Sequence, residues 1–209
     1  MSADPWLQAW LPLVHERCAG RPVLELGCGT GRDTATLVRA GHRVLAIDLS
    51  LTSIMAAKLR APRAKFYRQD ILAPFPVGDG AAGVVVASLS LHYFDWADTL
   101  NLVGRIRQTL RPGGVLLCRL NSTQDMNFGA TGHERLGENY YRVGGVPKRF
   151  FDRASVEALF ASGWRTRSIQ EAVIDRYVLA KTVWEVVLER DGGLCGSDHF
   201  AWQTCSDPN

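Results

Sequence analysis

Three glycines at alternate positions, Gly27, Gly29 and Gly31, follow directly on a short, mostly apolar run at 23–26. Such a run is typical of a strand buried in a parallel sheet, and the residues that follow the glycines, 32–40, predict a helix. A strand, a glycine turn and a helix in this order direct free backbone N–H groups at a ligand, because no Cβ keeps the ligand away from the main chain. The pattern predicts a ligand-binding turn; a glycine-rich connection without a ligand is the alternative.

The spacing of the glycines separates two kinds of nucleotide-type ligand. A dinucleotide fingerprint, G-x-G-x-x-G, counted from Gly27 requires a glycine where the chain has Arg32, and counted from Gly29 it meets Thr34. An NAD-linked enzyme is therefore disfavoured. The pattern present, E-x-G-x-G-x-G over residues 25–31, resembles the first motif of the class I S-adenosylmethionine-dependent methyltransferases.

Two further predicted strands end in carboxylates. Asp48 follows the strand 43–47 and lies 21 residues after Gly27, and Asp70 follows the strand 64–69. Ligands of α/β sheets lie outside the carboxyl ends of the strands, where a carboxylate can accept hydrogen bonds from both hydroxyls of a ribose. The alternatives are a helix N-cap for Asp48 and a solvated turn aspartate for Asp70.

Predicted strands and helices alternate as far as residue 120, which indicates a parallel sheet built by right-handed crossovers. Residues 121–150, rich in Gly, Asn and Tyr, are long for a plain connection and predict a functional loop. Residues 191–209 predict a mobile tail after a single domain over 1–190. The predicted helices are 5–19 (with a possible bend at Pro12), 32–40, 51–60 capped by Ser50, 96–110 and one from Phe151 or Asp152 to Ser162; the remaining strands are 82–87, 115–120, 164–170 and 177–188.

The methyltransferase resemblance covers about residues 20–190 and includes L-R-P-G-G at 110–114, before an apolar strand. It implies a three-layer, Rossmann-like α/β sandwich, with a seven-stranded, mostly parallel sheet in the order 3-2-1-4-5-7-6 and strand 7 antiparallel. It also implies S-adenosyl-L-methionine as cofactor and S-adenosyl-L-homocysteine as product. The residues it assigns to cofactor binding lie in the glycine turn and at strand ends: Glu25, Leu26, Gly27, Cys28, Gly29, Thr30, Gly31, Asp48, Leu49, Ser50, Gln69, Asp70, Ile71, Ser88 and Leu89.

Methyl transfer from a sulfonium is an in-line displacement on an activated reagent, so the protein chiefly positions two reactants. The segment 88–94 follows strand four, where the methyl group would face its acceptor. His92 in this segment titrates near neutral pH and is the catalytic candidate, as base or orienting group; a structural histidine is the alternative. The substrate-binding candidates are His92, Tyr93 and, in the long loop, Tyr140, Tyr141 and Arg142.

The absence of several motifs narrows the range of possible methyl acceptors. The sequence Ser88-Leu89-Ser90 stands where enzymes that methylate amino groups of bases or glutamine carry Asn or Asp followed by Pro-Pro, and where metal-dependent catechol enzymes carry a carboxylate. No cysteine follows a proline, as cytosine-ring methylation requires, and the cysteine spacings do not match arsenic methylation. A small-molecule acceptor remains. The alternatives are a non-catalytic S-adenosylmethionine-binding module and an RNA substrate, for which basic and aromatic residues at 140–153 argue.

Overall composition argues against several other classes of protein. Lys and Arg number 24 against 21 Asp and Glu, a net charge of +3, which gives nucleic acid little support as the main partner. The five cysteines form no C-x-x-C pair, and we expect neither a metal site nor a disulfide framework. With no secretory signal and no membrane-length apolar run, we expect a cytoplasmic protein without a membrane partner.

Overall fold

The computed structural model describes residues 5–175 and 177–192. The helices are α1 (Trp6–Cys18), α2 (Arg32–Arg39), α3 (Leu51–Arg60), α4 (Trp96–Thr109) and α5 (Arg153–Leu159), with a single 3-10 turn at Leu91–Tyr93. The strands are β1 (Val23–Leu26), β2 (Val44–Asp48), β3 (Lys65–Arg68), β4 (Ala82–Ser88), β5 (Leu110–Asn121), β6 (Glu134–Gly137), β7 (Tyr140–Val143), β8 (Val146–Arg149), β9 (Trp164–Ile174) and β10 (Lys181–Arg190). The predicted tail lies outside the described residues from position 193 onward.

Seven of these strands form one sheet in the order β3-β2-β1-β4-β5-β10-β9. Strands β1 to β5 pair in parallel, and β10 is antiparallel to both of its neighbours, β5 and β9. Within this sheet β9 and β10 are the sixth and seventh strands, so the order is 3-2-1-4-5-7-6; the strand numbers differ only because β6–β8 intervene in the chain. The predicted fold class is confirmed.

The sheet is covered on both faces, which gives three layers. Along β4, Val84 and Val86 belong to one core cluster and Val85 to the other, as the period-two alternation of a strand requires. Helices α1, α2 and α3 cover the Val84 side, and α4 and α5 cover the Val85 side. Because both faces are buried, these strands are continuous apolar runs rather than alternating ones.

Helix α1 is one continuous helix, with Pro12 inside it and no break. Pro12 removes the hydrogen bond to the carbonyl of Gln8, which lies in an exposed residue. The end of the helix packs tightly on β4: a Cβ on Gly83 would lie 2.5 Å from the carbonyl oxygen of Arg17. Arg111 at the start of β5 donates to the same oxygen from Nε and Nη2, at 3.2 and 3.0 Å.

The segment 121–150 is more ordered than the predicted loop. Strands β6, β7 and β8 form a separate antiparallel sheet within it. Gly144 and Gly145, both with positive φ, form the two-residue turn between the paired residues Val143 and Val146. This small sheet packs on the 3-10 turn that follows β4, so the insertion lies beside the carboxyl end of the central strands.

Element boundaries differ from the predictions mainly where pairing extends past the apolar residues. Strand β5 begins at Leu110 instead of 115, because Leu110 already pairs with Ala82 before a register shift. Strand β9 extends to Ile174, past its predicted end at 170. Strand β10 runs from Lys181 to Arg190, so it ends past 188 but begins four residues after the predicted start at 177, because pairing with β9 starts only at Lys181. Within the described residues, no helix combines the length and apolar character needed to cross a membrane.

Candidate functional site

A cavity of about 930 Å³ runs along the carboxyl ends of β3, β2, β1 and β4. Its wall follows the strand order, from the residues after β3 through the glycine turn to those after β4. The lining residues are Gly27, Cys28, Gly29, Thr30, Arg32, Asp33, Asp48, Leu49, Ser50, Ser53, Gln69, Asp70, Ile71, Ser88, Leu89, Ser90, Tyr93, Phe94, Val146 and Tyr177. Of the residues predicted to bind cofactor, Glu25, Leu26 and Gly31 lie outside this lining.

The three glycines of the turn have different surroundings. A Cβ on Gly27 would lie 2.5 Å from Cβ of Ser90, and one on Gly31 would lie 2.8 Å from Cβ of Ala57. Gly27 and Gly31 therefore allow the turn to pack against the end of β4 and against α3. A Cβ on Gly29 would meet no protein atom within 4 Å, although Gly29 lines the cavity. The space beside Gly29 fits a ligand that approaches the main chain.

Asp48 joins the glycine turn to the start of α3. Its Oδ2 accepts a hydrogen bond from the N–H of Gly29 at 2.8 Å, and its Oδ1 accepts one from the N–H of Ser50 at 2.8 Å. The N-cap of α3 is Ser50, whose Oγ accepts from the N–H of Ser53 at 3.2 Å. Asp48 is thus not the cap, and each of its oxygens keeps a lone pair for a ligand hydroxyl.

Glu25 acts behind the turn rather than in the cavity. It is 3% exposed, and its Oε2 accepts a hydrogen bond from Oγ1 of Thr34 at 2.6 Å. This contact fixes β1 against α2. Asp70 lines the cavity, but its Oδ1 accepts from the N–H of Leu72 at 2.9 Å, so it is also the turn aspartate that the sequence allowed as an alternative.

Cys28 sits inside the glycine turn as a buried thiol. Burial, with the neighbouring carboxylates of Glu25 and Asp48, raises the pKa of Cys28 well above its usual range. The thiol therefore stays protonated at neutral pH, and the thiolate, which is the nucleophile, is absent. We therefore interpret Cys28 as a small side chain that fills space in the turn rather than as a nucleophile.

His92, the predicted catalytic residue, is 4% exposed and does not line the cavity. Its ring centroid lies 4.2 Å from that of Tyr93, and its Nδ1 has no hydrogen-bond partner among the described residues. Burial, followed by the charges of Lys181 and Lys148, lowers the pKa of His92 to about 3. The imidazole is therefore neutral at neutral pH and a weak base, and the catalytic role stays a prediction.

Beyond β4 the cavity is closed by side chains from three separate segments. Tyr93 ends the 3-10 turn and Phe94 follows it, Val146 begins β8, and Tyr177 lies between β9 and β10. Burial, then Tyr177 and Asp48, raise the pKa of Tyr93, so its phenol stays protonated. Sequence reasoning missed Val146 and Tyr177, because only tertiary packing brings them to the cavity, and it did not select Phe94 although the segment 88–94 was predicted to face the acceptor.

The predicted substrate residues of the long loop lie beside the cavity instead of on its wall. The hydroxyl of Tyr140 donates to the carbonyl oxygen of Tyr93 at 3.4 Å, and Arg142 pairs with Glu134 at 2.9 Å. Tyr141 lies on the same strand with its ring 6.1 Å from that of Phe150. These contacts support Tyr93 and the small sheet, and the substrate-binding role of Tyr140, Tyr141 and Arg142 stays a prediction.

The basic cluster that favoured an RNA substrate is largely engaged within the protein. Arg153 pairs with Glu157 at 2.8 Å, and Arg149 is 8% exposed, with its guanidinium 5.5 Å from the ring of Trp96 and 5.0 Å from that of Tyr140. These residues present no continuous basic face. The described part of the chain also holds no group of three or more His, Cys, Asp or Glu arranged to bind a metal.

Comparison with known proteins shows what the chain is similar to. A sequence model of the methyltransferase domain matches residues 23–114, the segment that contains the glycine turn, Asp48 and Asp70. A probable S-adenosylmethionine-dependent methyltransferase of Mycolicibacterium smegmatis is 36% identical over 105 residues, 50% of this chain and 39% of its own length. Over this segment the chain is similar to the S-adenosylmethionine-dependent methyltransferases. S-adenosylmethionine is the cofactor of this family, and the open space beside Gly29 fits it.

Solved methyltransferase structures share the fold. An S-adenosylmethionine-dependent methyltransferase from Mesorhizobium loti superimposes with a TM-score of 0.70 at 21% identity, over 90% of this chain and 99% of that one. The 1,6-didemethyltoxoflavin N1-methyltransferase of Burkholderia thailandensis gives a TM-score of 0.66 at 22% identity, over 90% and 81%. The chain spans less than half the length of the first curated relatives it matches, 45% and 39%.

Proposed function

We propose that residues 1–190 form a single domain that transfers the methyl group of S-adenosylmethionine to a small-molecule acceptor. The observation that carries this proposal is one cavity that continues from Gly29 and Asp48 to the wall of Tyr93 and Tyr177. Such a cavity has room for the cofactor and, beyond it, for an acceptor. In support, the Burkholderia thailandensis neighbour was crystallised with a small-molecule acceptor and S-adenosylhomocysteine.

The strand order suggests how the cofactor lies. Neighbouring strands are about 4.8 Å apart, so the ends of β3 and β4 are about 14 Å from each other. Asp70 and Ile71 would hold the adenine, Asp48 the ribose hydroxyls, and the N–H groups of Gly29 and its neighbours the amino-acid part. When bound, the cofactor supplies a methyl group already activated by the sulfonium charge.

The acceptor end of the cavity offers hydroxyl groups and no strong base. Ser88, Ser90 and Tyr93 line it, whereas His92 lies behind it with a lowered pKa. We therefore infer that catalysis consists of positioning the two reactants in line and excluding water. An acceptor atom that needs a proton removed would lose it during or after attack, to water at the cavity mouth.

The first test is calorimetric titration of the protein with S-adenosylhomocysteine, using Asp48→Ala as the variant. We expect at least a tenfold loss of affinity, because charge-assisted hydrogen bonds contribute about 1.5–3 kcal/mol each and Asp48 also orders the turn at Gly29. Asp79→Ala, an exposed carboxylate away from the cavity, is the matched control and should bind as the wild type does. Unchanged affinity in Asp48→Ala would refute the assignment.

A further inference from the structure

The charged residues of the cavity are all at one end. Arg32 and Asp33 follow the glycine turn, Asp48 ends β2, and Asp70 follows β3. On the β4 side the described lining residues include no charged side chain; they are Ser88, Leu89, Ser90, Tyr93, Phe94, Val146 and Tyr177. The two ends of the cavity therefore suit different chemistry, a charged nucleoside at one and an uncharged molecule at the other.

We propose that the methyl acceptor is an uncharged molecule with a flat, ring-containing body, whose polar atom hydrogen-bonds to Oγ of Ser90. This inference rests on the proposed methyltransferase function. It assigns the aromatic side chains Tyr93, Phe94 and Tyr177 to the ring, and it makes Ser90 a positioning residue for the acceptor.

Ser90 supplies the polar contact at this end. The residue is 4% exposed and lines the cavity, and its Oγ has no hydrogen-bond partner among the described residues. Its Cβ packs on Gly27, at 2.5 Å from where a Cβ of that glycine would be, so the serine cannot move toward the turn. A buried hydroxyl without a partner is costly. Oγ of Ser90 has less than 1 Å² of exposed surface, so rotation about the Cα–Cβ bond has to turn it to the cavity before an acceptor oxygen or nitrogen satisfies it.

The aromatic side chains supply a surface for a ring. Tyr93 and Tyr177 remain 41% and 42% exposed, which is the area that a bound ring would cover. Tyr177 is braced from behind by Phe128, at 5.6 Å between ring centroids. Aromatic side chains favour offset or edge-on packing of a second ring, so a flat acceptor gains contact here that a small ion does not.

Among the described residues, the two lysines whose charges act on His92, Lys181 and Lys148, do not line the cavity. Lys181 is buried and pairs with the carboxylate of Asp125 at 2.8 Å. The charge of Lys148 lowers the pKa of His92, and neither of these two residues lines the cavity. An acceptor with a carboxylate would lose its hydration here without gaining a charged partner. The arrangement therefore disfavours an anionic acceptor.

The test uses the protein saturated with S-adenosylhomocysteine and two matched pairs of probes, titrated by calorimetry. 2-Naphthol is compared with 2-naphthoate, and 5-hydroxyindole with indole-5-carboxylate, so each pair keeps its ring and replaces a neutral hydroxyl by a charged carboxylate. We expect each hydroxyl compound to bind at least tenfold more tightly than its carboxylate. Ser90→Ala should weaken the hydroxyl compounds about fivefold or more and leave the ratio between the two rings unchanged.

The inference would be overturned if the carboxylates bound more tightly than the hydroxyl compounds, and more so if Lys148→Gln then lost this carboxylate binding. It would also be overturned if neither hydroxyl probe bound, or if Ser90→Ala bound the hydroxyl probes as tightly as the wild type. In all of these, S-adenosylhomocysteine itself still binds. Failure of S-adenosylhomocysteine to bind the wild-type protein is a separate result, which refutes the proposed function and with it this inference.

Discussion

At the scale of single residues, Gly27, Gly29 and Gly31 share a positive φ but differ in what surrounds them. Alanine in this conformation costs about 1–2 kcal/mol at each position. For Gly27→Ala and Gly31→Ala we expect a further cost of about 1–3 kcal/mol from overpacking, because the new Cβ would overlap Ser90 or Ala57. Urea unfolding should therefore rank Gly29→Ala as the least destabilised of the three.

Binding should rank the same variants differently. The Cβ of Gly29→Ala would enter open space in the cavity, so we expect a folded protein that has lost at least tenfold in S-adenosylhomocysteine affinity by calorimetry. A variant at this position that binds as tightly as the wild type would show that the space beside the turn is not the cofactor site.

His92 gives a prediction about pH. Burial, then Lys181 and Lys148, lower its pKa from the usual 6.5 to about 3 in the folded protein. Below pH 6.5 the unfolded chain therefore binds a proton that the folded protein does not, and stability is lost as pH falls toward 3. The slope reaches about 1.4 kcal/mol per pH unit, or roughly 2–3 kcal/mol by pH 4.5.

The measurement is urea unfolding at several values of pH for the wild type and for His92→Gln. Above pH 7 His92 contributes no slope, since it is neutral in both states. Below pH 6 we expect the stability of His92→Gln to fall less steeply than that of the wild type. Parallel curves for the two proteins would show that His92 is protonated in the folded state, with an ordinary pKa.

At the scale of elements, Asp125 and Lys181 hold the first part of the insertion against β10. Oδ2 of Asp125 accepts from Nζ of Lys181 at 2.8 Å, and Oδ1 accepts from the N–H groups of Asn127 and Phe128 at 3.2 and 3.1 Å. Both side chains of the ion pair are buried. Removal of one partner leaves a buried charge unpaired, so Asp125→Asn and Lys181→Met should each lose about 3–5 kcal/mol in urea unfolding.

The double variant Asp125→Asn/Lys181→Met separates pairing from packing. With both charges removed, we expect it to be more stable than the sum of the single losses predicts. Additive losses would mean that the two residues act independently. Because Phe128 follows Asp125 and packs on Tyr177, the single variants should also weaken ring probes more than they weaken S-adenosylhomocysteine.

The elements that the sequence predicted well are those whose signal is local. Strands buried on both faces are continuous apolar runs, and a helix N-cap such as Ser50 acts on its own first turn. Strands β6 and β7 give no such signal, because β6 is almost entirely exposed and β7 only half-buried. The one local sign of the small sheet was the Gly-Gly pair between Val143 and Val146, a hairpin signature that joins β7 to β8.

The residues of the candidate site also divide into those with a local signal in the sequence and those without one. Asp48 and Asp70 were predictable because the carboxyl end of a parallel strand is known once the strand is. Val146 and Tyr177 were not, since each reaches the cavity from a different hairpin and has neither a motif nor a fixed spacing from the glycine turn. The part of the cavity wall at the ends of β2 and β3 was therefore predictable from the chain, whereas the part formed by Val146 and Tyr177 depends on long-range packing.

At the scale of the whole molecule, the distribution of charge bears on nucleic acid as a partner. The chain has 24 basic and 21 acidic side chains, and the basic residues of the insertion are mostly paired or buried: Arg142 with Glu134, and Arg149 between two aromatic rings. RNA binding through phosphates needs several free cations on one face. We therefore expect only weak RNA binding that involves few phosphates.

Fluorescence anisotropy of a labelled single-stranded RNA, titrated with protein at several salt concentrations, measures this directly. Because each phosphate neutralised on single-stranded RNA contributes about −0.7 to the slope of log K against log salt, we expect a slope of about −1 and no saturation at micromolar protein and physiological salt. Lys148→Gln tests whether Lys148, the one lysine of the basic segment 140–153, carries the residual RNA binding. A slope of −3 or steeper, reduced in Lys148→Gln, would instead indicate a basic surface that holds RNA and would favour an RNA acceptor over a small molecule.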